Sequence, residues 1–128
     1  MKVKKILIVI ADYYEDISLS LLKSAKYKLN NFSLKVIKVP GVFEIPVTIS
    51  KNIKKYDAFI ALGCVIKGET PHFDFISSAS THAIMNLSVE SKKPIGNGII
   101  TCLNMKQAKA RGKKGKEAAQ AIISVLSQ

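Results

Sequence analysis

Ala58 to Ile66 reads AFIALGCVI, eight apolar residues interrupted only by Gly63. A strand with one solvated face alternates apolar and polar residues, so an unbroken run of this kind belongs to a strand covered on both faces, as in a parallel sheet. Such a strand needs helices on either side. Val3 to Ala11, Ser33 to Val39 and Pro94 to Cys102 read as three further strands. Between and after them, Ile17 to Leu29 reads as an amphipathic helix with Ile17, Leu21, Leu22, Ala25 and Leu29 on one face. Phe43 to Lys54, Pro71 to about Glu90, Met105 to Ala110 and Lys114 to Leu126 read as further helices. Strand-helix alternation without linkers or repeats implies right-handed crossovers and a three-layer α/β/α sandwich around a four-stranded parallel sheet, in one domain over residues 1–128.

Composition excludes several function classes. A hydrophobic content of 48% argues against disorder, and no apolar run approaches the ~18 residues of a membrane span. Met1-Lys2-Val3-Lys4-Lys5-Ile6 leads into a strand rather than a cleavable leader, so we expect a cytoplasmic chain with no membrane partner. Cys64 and Cys102, without metal-ligand spacing, read as small reduced core residues. The net charge of +11 invites a nucleic-acid reading, yet the one basic cluster, Lys106 to Lys116, has no interleaved aromatic residue to stack a base. It reads as a solvated helix face, and no nucleic-acid partner is expected. Of the 20 basic residues only Arg111 is arginine, which points to planar, two-oxygen binding of an oxyanion that lysine cannot supply.

In parallel sheets, ligands bind at the carboxyl ends of the strands. After the third strand, Thr70 fits an N-cap, Pro71 the first helical position and His72 the first turn. A helix start of this kind offers unpaired N–H groups, so Gly68-Glu69-Thr70 could cradle a phosphate, and its field favours a neutral, proton-accepting imidazole at His72. The spacing of Gly63 and Gly68 imitates a P-loop, but Glu69 stands where that loop needs lysine. Read alone, the segment leaves two possibilities open, a reaction centre and an ordinary capped crossover.

PGVFEIP at 40–46, ALGCVIKGETPHFDF at 61–75, and later QAKAR and KKGKEAA, resemble the 6,7-dimethyl-8-ribityllumazine synthase family over nearly the whole chain. The resemblance implies a flavodoxin-like sandwich and a condensation of 5-amino-6-(D-ribitylamino)uracil with 3,4-dihydroxy-2-butanone 4-phosphate, without cofactor or metal. His72 matches the family's proton-shuttling histidine. Glu69, Thr70 and Arg111 match the elements that hold the butanone phosphate. Tyr13 takes the place of an aromatic that stacks on the pyrimidine, and Val42, Phe43 and Glu44 match the segment holding the ribityl chain. Cys64, Val65 and Ile66 match the wall at the other edge of the ring, and Lys114 a lysine reaching a ring carbonyl.

Three departures qualify the match. Asn97 stands where many members carry a phenylalanine inserted from a neighbouring subunit, Asp12 replaces a frequent arginine, and the stretch Arg111 to Gly115 is shorter than usual. Shell-forming members use the longer loop between pentamers, so the resemblance implies a homopentamer with active sites shared between adjacent chains, and riboflavin synthase as a candidate partner. Other readings are an archaeal-type riboflavin synthase on the same fold, a non-catalytic flavin or nucleotide carrier, and a basic nucleic-acid binder.

Overall fold

The computed structural model describes residues 3–128; the expected lead-in from Met1 and Lys2 lies outside the described residues. Strands β1 (Lys5–Ala11), β2 (Ser33–Val39), β3 (Ala58–Ile66) and β4 (Ile95–Cys102) form one sheet in the order β2-β1-β3-β4, every neighbouring pair parallel. The helices are α1 (Glu15–Lys28), α2 (Ile45–Lys51), α3 (His72–Ser91), α4 (Met105–Lys109) and α5 (Lys114–Leu126). The expected sandwich is the observed one.

Alternate side chains of a strand face opposite ways, and the core divides accordingly. Ile6, Ile8 and Ile10 of β1 join Ala58, Ile60 and Leu62 of β3 in one cluster with Leu21 and Ala25 of α1 and Ala119 and Ile122 of α5. Leu7, Val9 and Ala11 join Phe59, Ala61 and Val65 in a second, with Ile45 and Ile49 of α2 and Ile84 of α3. Burial of a large aliphatic side chain is worth about 1.5–3 kcal/mol, so the two central strands, buried on both faces, supply much of the driving force.

Local chemistry moves several boundaries. Helix α1 begins at Glu15 rather than Ile17, because Glu15 and Asp16 complement the positive end of the helix in its first turn. The expected helix from Phe43 to Lys54 divides into a 3-10 turn at Val42–Glu44 and the shorter α2. Pro46 has no N–H to give and fits the first turn of a helix starting at Ile45, not the interior of one starting at Phe43. Asn52 ends α2 at its C-cap, with its side-chain amide donating to the Thr48 carbonyl at 2.8 Å.

From β1 the chain moves to β2 on one side, then crosses to β3 on the other. Strand order therefore reverses between β1 and β3, which opens a crevice at their carboxyl ends.

Candidate active site

At that reversal lies a hollow of about 620 Å³. The residues after β1 contribute Tyr13, those after β2 contribute Val42, Phe43 and Glu44, β3 ends in it with Cys64, Val65 and Ile66, and α3 contributes His72. Tyr13 and Phe43 are 75% and 70% exposed, so two aromatic faces stand in water beside the cavity and offer flat apolar area to a flat ligand. The Tyr13 ring packs edge-on to Tyr14, with centroids 4.9 Å apart and planes at 79°.

Electrostatics make the inner wall unreactive. Burial, reinforced by the neighbouring Cys102, pushes the Cys64 thiol up to about 12, so it stays protonated and is no nucleophile. Burial first, then Tyr13 and Cys64, raise the Tyr14 phenol, which remains a hydrogen-bond donor. Opposite, the 3-10 turn is held by the Glu44 N–H donating to the Gly41 carbonyl at 3.2 Å and by the Thr48 hydroxyl donating to the Glu44 carbonyl at 2.8 Å.

His72 is the first residue of α3, so the helix starts one residue later than expected. Pro71, not Thr70, takes the N-cap position, while the Thr70 hydroxyl accepts from the His72 N–H at 3.4 Å. The difference is one residue of backbone geometry, since Pro71 with ψ of 5° already leaves the helical range. Glu69 and Thr70 lie in an exposed turn and line neither this hollow nor the next.

A second hollow, of about 670 Å³, lies at β4 and brings together Asn97, Arg111 and Lys114, with Lys113 and Glu117. β4 is an edge strand, and unpaired backbone groups on such an edge need partners. Asn97 Oδ1 accepts from the Ile99 N–H at 3.0 Å, and Arg111 Nη1 donates to the Thr101 carbonyl at 3.2 Å. Arginine carries five donors, so this contact leaves its planar fork usable. Within one chain, then, Arg111 does not meet Glu69 and Thr70 around one cavity, and no described residue lines both hollows.

The sequence model of the 6,7-dimethyl-8-ribityllumazine synthase family matches residues 3–128. The chain belongs to that family. It is 44% identical to 6,7-dimethyl-8-ribityllumazine synthase 1 of Rhodopseudomonas palustris (strain ATCC BAA-98 / CGA009), an alignment covering 95% of this chain and 83% of the relative. It is 42% identical to the 6,7-dimethyl-8-ribityllumazine synthase of Agrobacterium fabrum (strain C58 / ATCC 33970) over 94% of this chain and 91% of the relative. A third, from Nitrobacter hamburgensis, is also 42% identical, over 94% and 82%.

In this lumazine synthase family chain, sequence reasoning missed Tyr14, Phe75 and Ile76, which also line the first hollow. Phe75 and Ile76 lie three and four residues after His72, the spacing that puts them on its face of the helix, and that signal was available. Thr81, Lys113 and Glu117 of the second hollow carried no comparable mark. Among the described residues, no group of three or more His, Cys, Asp or Glu could hold a metal ion, and no helix is long and apolar enough to cross a membrane.

Proposed function

We infer that the chain condenses 5-amino-6-(D-ribitylamino)uracil with 3,4-dihydroxy-2-butanone 4-phosphate to 6,7-dimethyl-8-ribityllumazine, releasing phosphate, the reaction for which its relatives are named. The observation that carries this reading is one cavity at the strand-order reversal edged by exposed aromatic rings, a carboxylate and an imidazole, in a chain that matches the family from residue 3 to residue 128.

Each residue has a role its chemistry fits. Tyr13 stacks on the pyrimidine, Glu44 and the backbone of Val42 and Phe43 accept and donate to ribityl hydroxyls, and Cys64, Val65 and Ile66 form an apolar edge. His72 moves protons as the substrate amine condenses with the ketone carbon to an imine with loss of water, as phosphate leaves and as the second ring closes with loss of a second water. Arg111, with the Glu69-Thr70 backbone, holds the phosphate, where negative charge grows on departure. Lys114 reaches a ring carbonyl, and Asn97 takes a ribityl hydroxyl.

Two chains complete one site in this reading. Among the described residues, no lysine or arginine lines the His72 hollow, and no aromatic ring or imidazole lines the Arg111 hollow. A phosphate ester and a pyrimidine together need both sets. Helix α3 also leaves Phe75, Met85 and Val89 exposed, apolar area suited to an interface. A closed ring, read as a pentamer, pairs the first hollow of one chain with the second of the next. We place it in the cytoplasm, where both free cysteines stay reduced, with riboflavin synthase consuming its product.

Incubating the protein with both substrates tests the activity: appearance of the fluorescent lumazine together with inorganic phosphate supports it, and absence of both refutes it.

A further inference from the structure

We propose that Ser24, on α1 and outside both hollows, is a positioning residue for the turn that carries Arg111 and Lys114. The proposal rests on the reading that those two residues bind substrate.

Helix α5 starts without a cap of its own. Its N-cap position is Lys113, which makes no side-chain capping bond, and a helix start leaves backbone N–H groups in need of acceptors. The Lys116 N–H finds its acceptor 92 residues upstream, donating to Ser24 Oγ at 3.0 Å. The same hydroxyl donates to the Gly112 carbonyl at 2.7 Å, closer than the Leu21 carbonyl of its own helix at 3.2 Å. One side chain thus holds the carbonyl before Lys113-Lys114-Gly115 and the N–H after it.

The approach of α1 to this turn depends on Gly115, where a Cβ would run into the Leu21 carbonyl, whereas one at Gly112 would meet only the movable Ser20 hydroxyl. Arg111 directly precedes the tied segment, and Lys114 lies inside it. On the opposite side, Arg111 reaches the Thr101 carbonyl, so the turn is held between α1 and the end of β4. With Ser24 gone, the turn keeps its β4 anchor but loses the one on α1. The guanidinium and ammonium then lose registration with a bound phosphate and ring, and a displacement of this kind weakens binding without removing a contact residue.

The test is a double-mutant cycle in steady-state kinetics, with Ser24→Ala, the near-isosteric weak hydrogen-bonder Ser24→Cys, Arg111→Lys, and Ser24→Ala combined with Arg111→Lys. Thermal unfolding of each variant and calorimetric titration with inorganic phosphate run alongside, and Ser20→Ala serves as the control. Ser24→Ala should raise the KM for the butanone phosphate about three- to tenfold and weaken phosphate binding in parallel, with kcat changed less than KM. Ser24→Cys should move in the same direction, and Ser20→Ala should match the parent. Because part of Ser24's effect passes through the Arg111 fork, the double variant should fall short of the product of the two single effects. A Ser24→Ala enzyme that keeps the parent's KM, and shows only a lower unfolding temperature or a lower kcat, overturns the positioning role, because loss of folded enzyme lowers kcat only. Fully multiplicative effects in the double variant overturn it too. If Arg111→Lys itself leaves the butanone-phosphate KM unchanged, the underlying reading of Arg111 fails, and this proposal with it.

Discussion

Gly63 and Val42 lie so close that a Cβ on Gly63 would sit 2.9 Å from Val42 Cγ2 and 3.3 Å from the Ala11 side chain. The single break in the apolar run of β3 is therefore the place where the 3-10 turn after β2 settles over the strand ends and presents Phe43 and Glu44 to the hollow. A methyl group there must displace the Val42 side chain that seats the turn.

Gly63→Ala should accordingly destabilise the fold by about 1–3 kcal/mol, the usual cost of overpacking, and raise the KM for the ribitylaminouracil substrate. Denaturant unfolding and substrate kinetics check this together. A variant with the parent's unfolding midpoint and KM would show that the turn is not set by this contact.

His72→Ala should lower kcat by roughly 10- to 1000-fold while leaving the unfolding midpoint almost unchanged, because the side chain is exposed and the N–H bond to Thr70 is backbone. His82, exposed in the middle of α3, should tolerate the same change. Parental turnover in His72→Ala would remove it from the proton-transfer role.

If the two hollows of one site come from different chains, two inactive variants can rescue each other. His72→Ala and Arg111→Ala, unfolded together, mixed in equal amounts and reassembled, should regain about a quarter of parental activity, the share of interfaces with both halves intact. No recovery in correctly assembled rings would locate the whole site within one chain.

The alkaline limb of stability should depend on Cys64. Its thiol is raised from 9.0 to about 12 by burial and Cys102, so above pH 9 the unfolded chain gives up a proton that the folded chain retains. This stabilisation is complete below pH 9 and is lost as pH rises towards 12. Between pH 8 and about pH 10.5 the parent's unfolding midpoint should fall further than that of Cys64→Ala. Equal falls would mean that Cys64 titrates normally in the folded state.

Much of this protein was legible in its sequence, because period and composition act locally. The run from Ala58 to Ile66 demanded two covering layers, and α5 falls on the residues its pattern predicted. His72 was marked by its place at a strand-to-helix junction, and Arg111 by being the one arginine. Where boundaries moved, the cause was chemistry at single residues: an acidic first turn at Glu15, and a proline that suits only a helix starting at Ile45. Tertiary structure alone decided what stands beside what. It parted Arg111 from Glu69 and Thr70, set Asn97 and Arg111 on the open edge of β4, and capped α5 with a hydroxyl from α1. The physical reason is that hydrogen-bond satisfaction is indifferent to sequence distance. Each buried or edge group takes the nearest partner that the packed layers bring to it, and that partner is known only once the layers are packed.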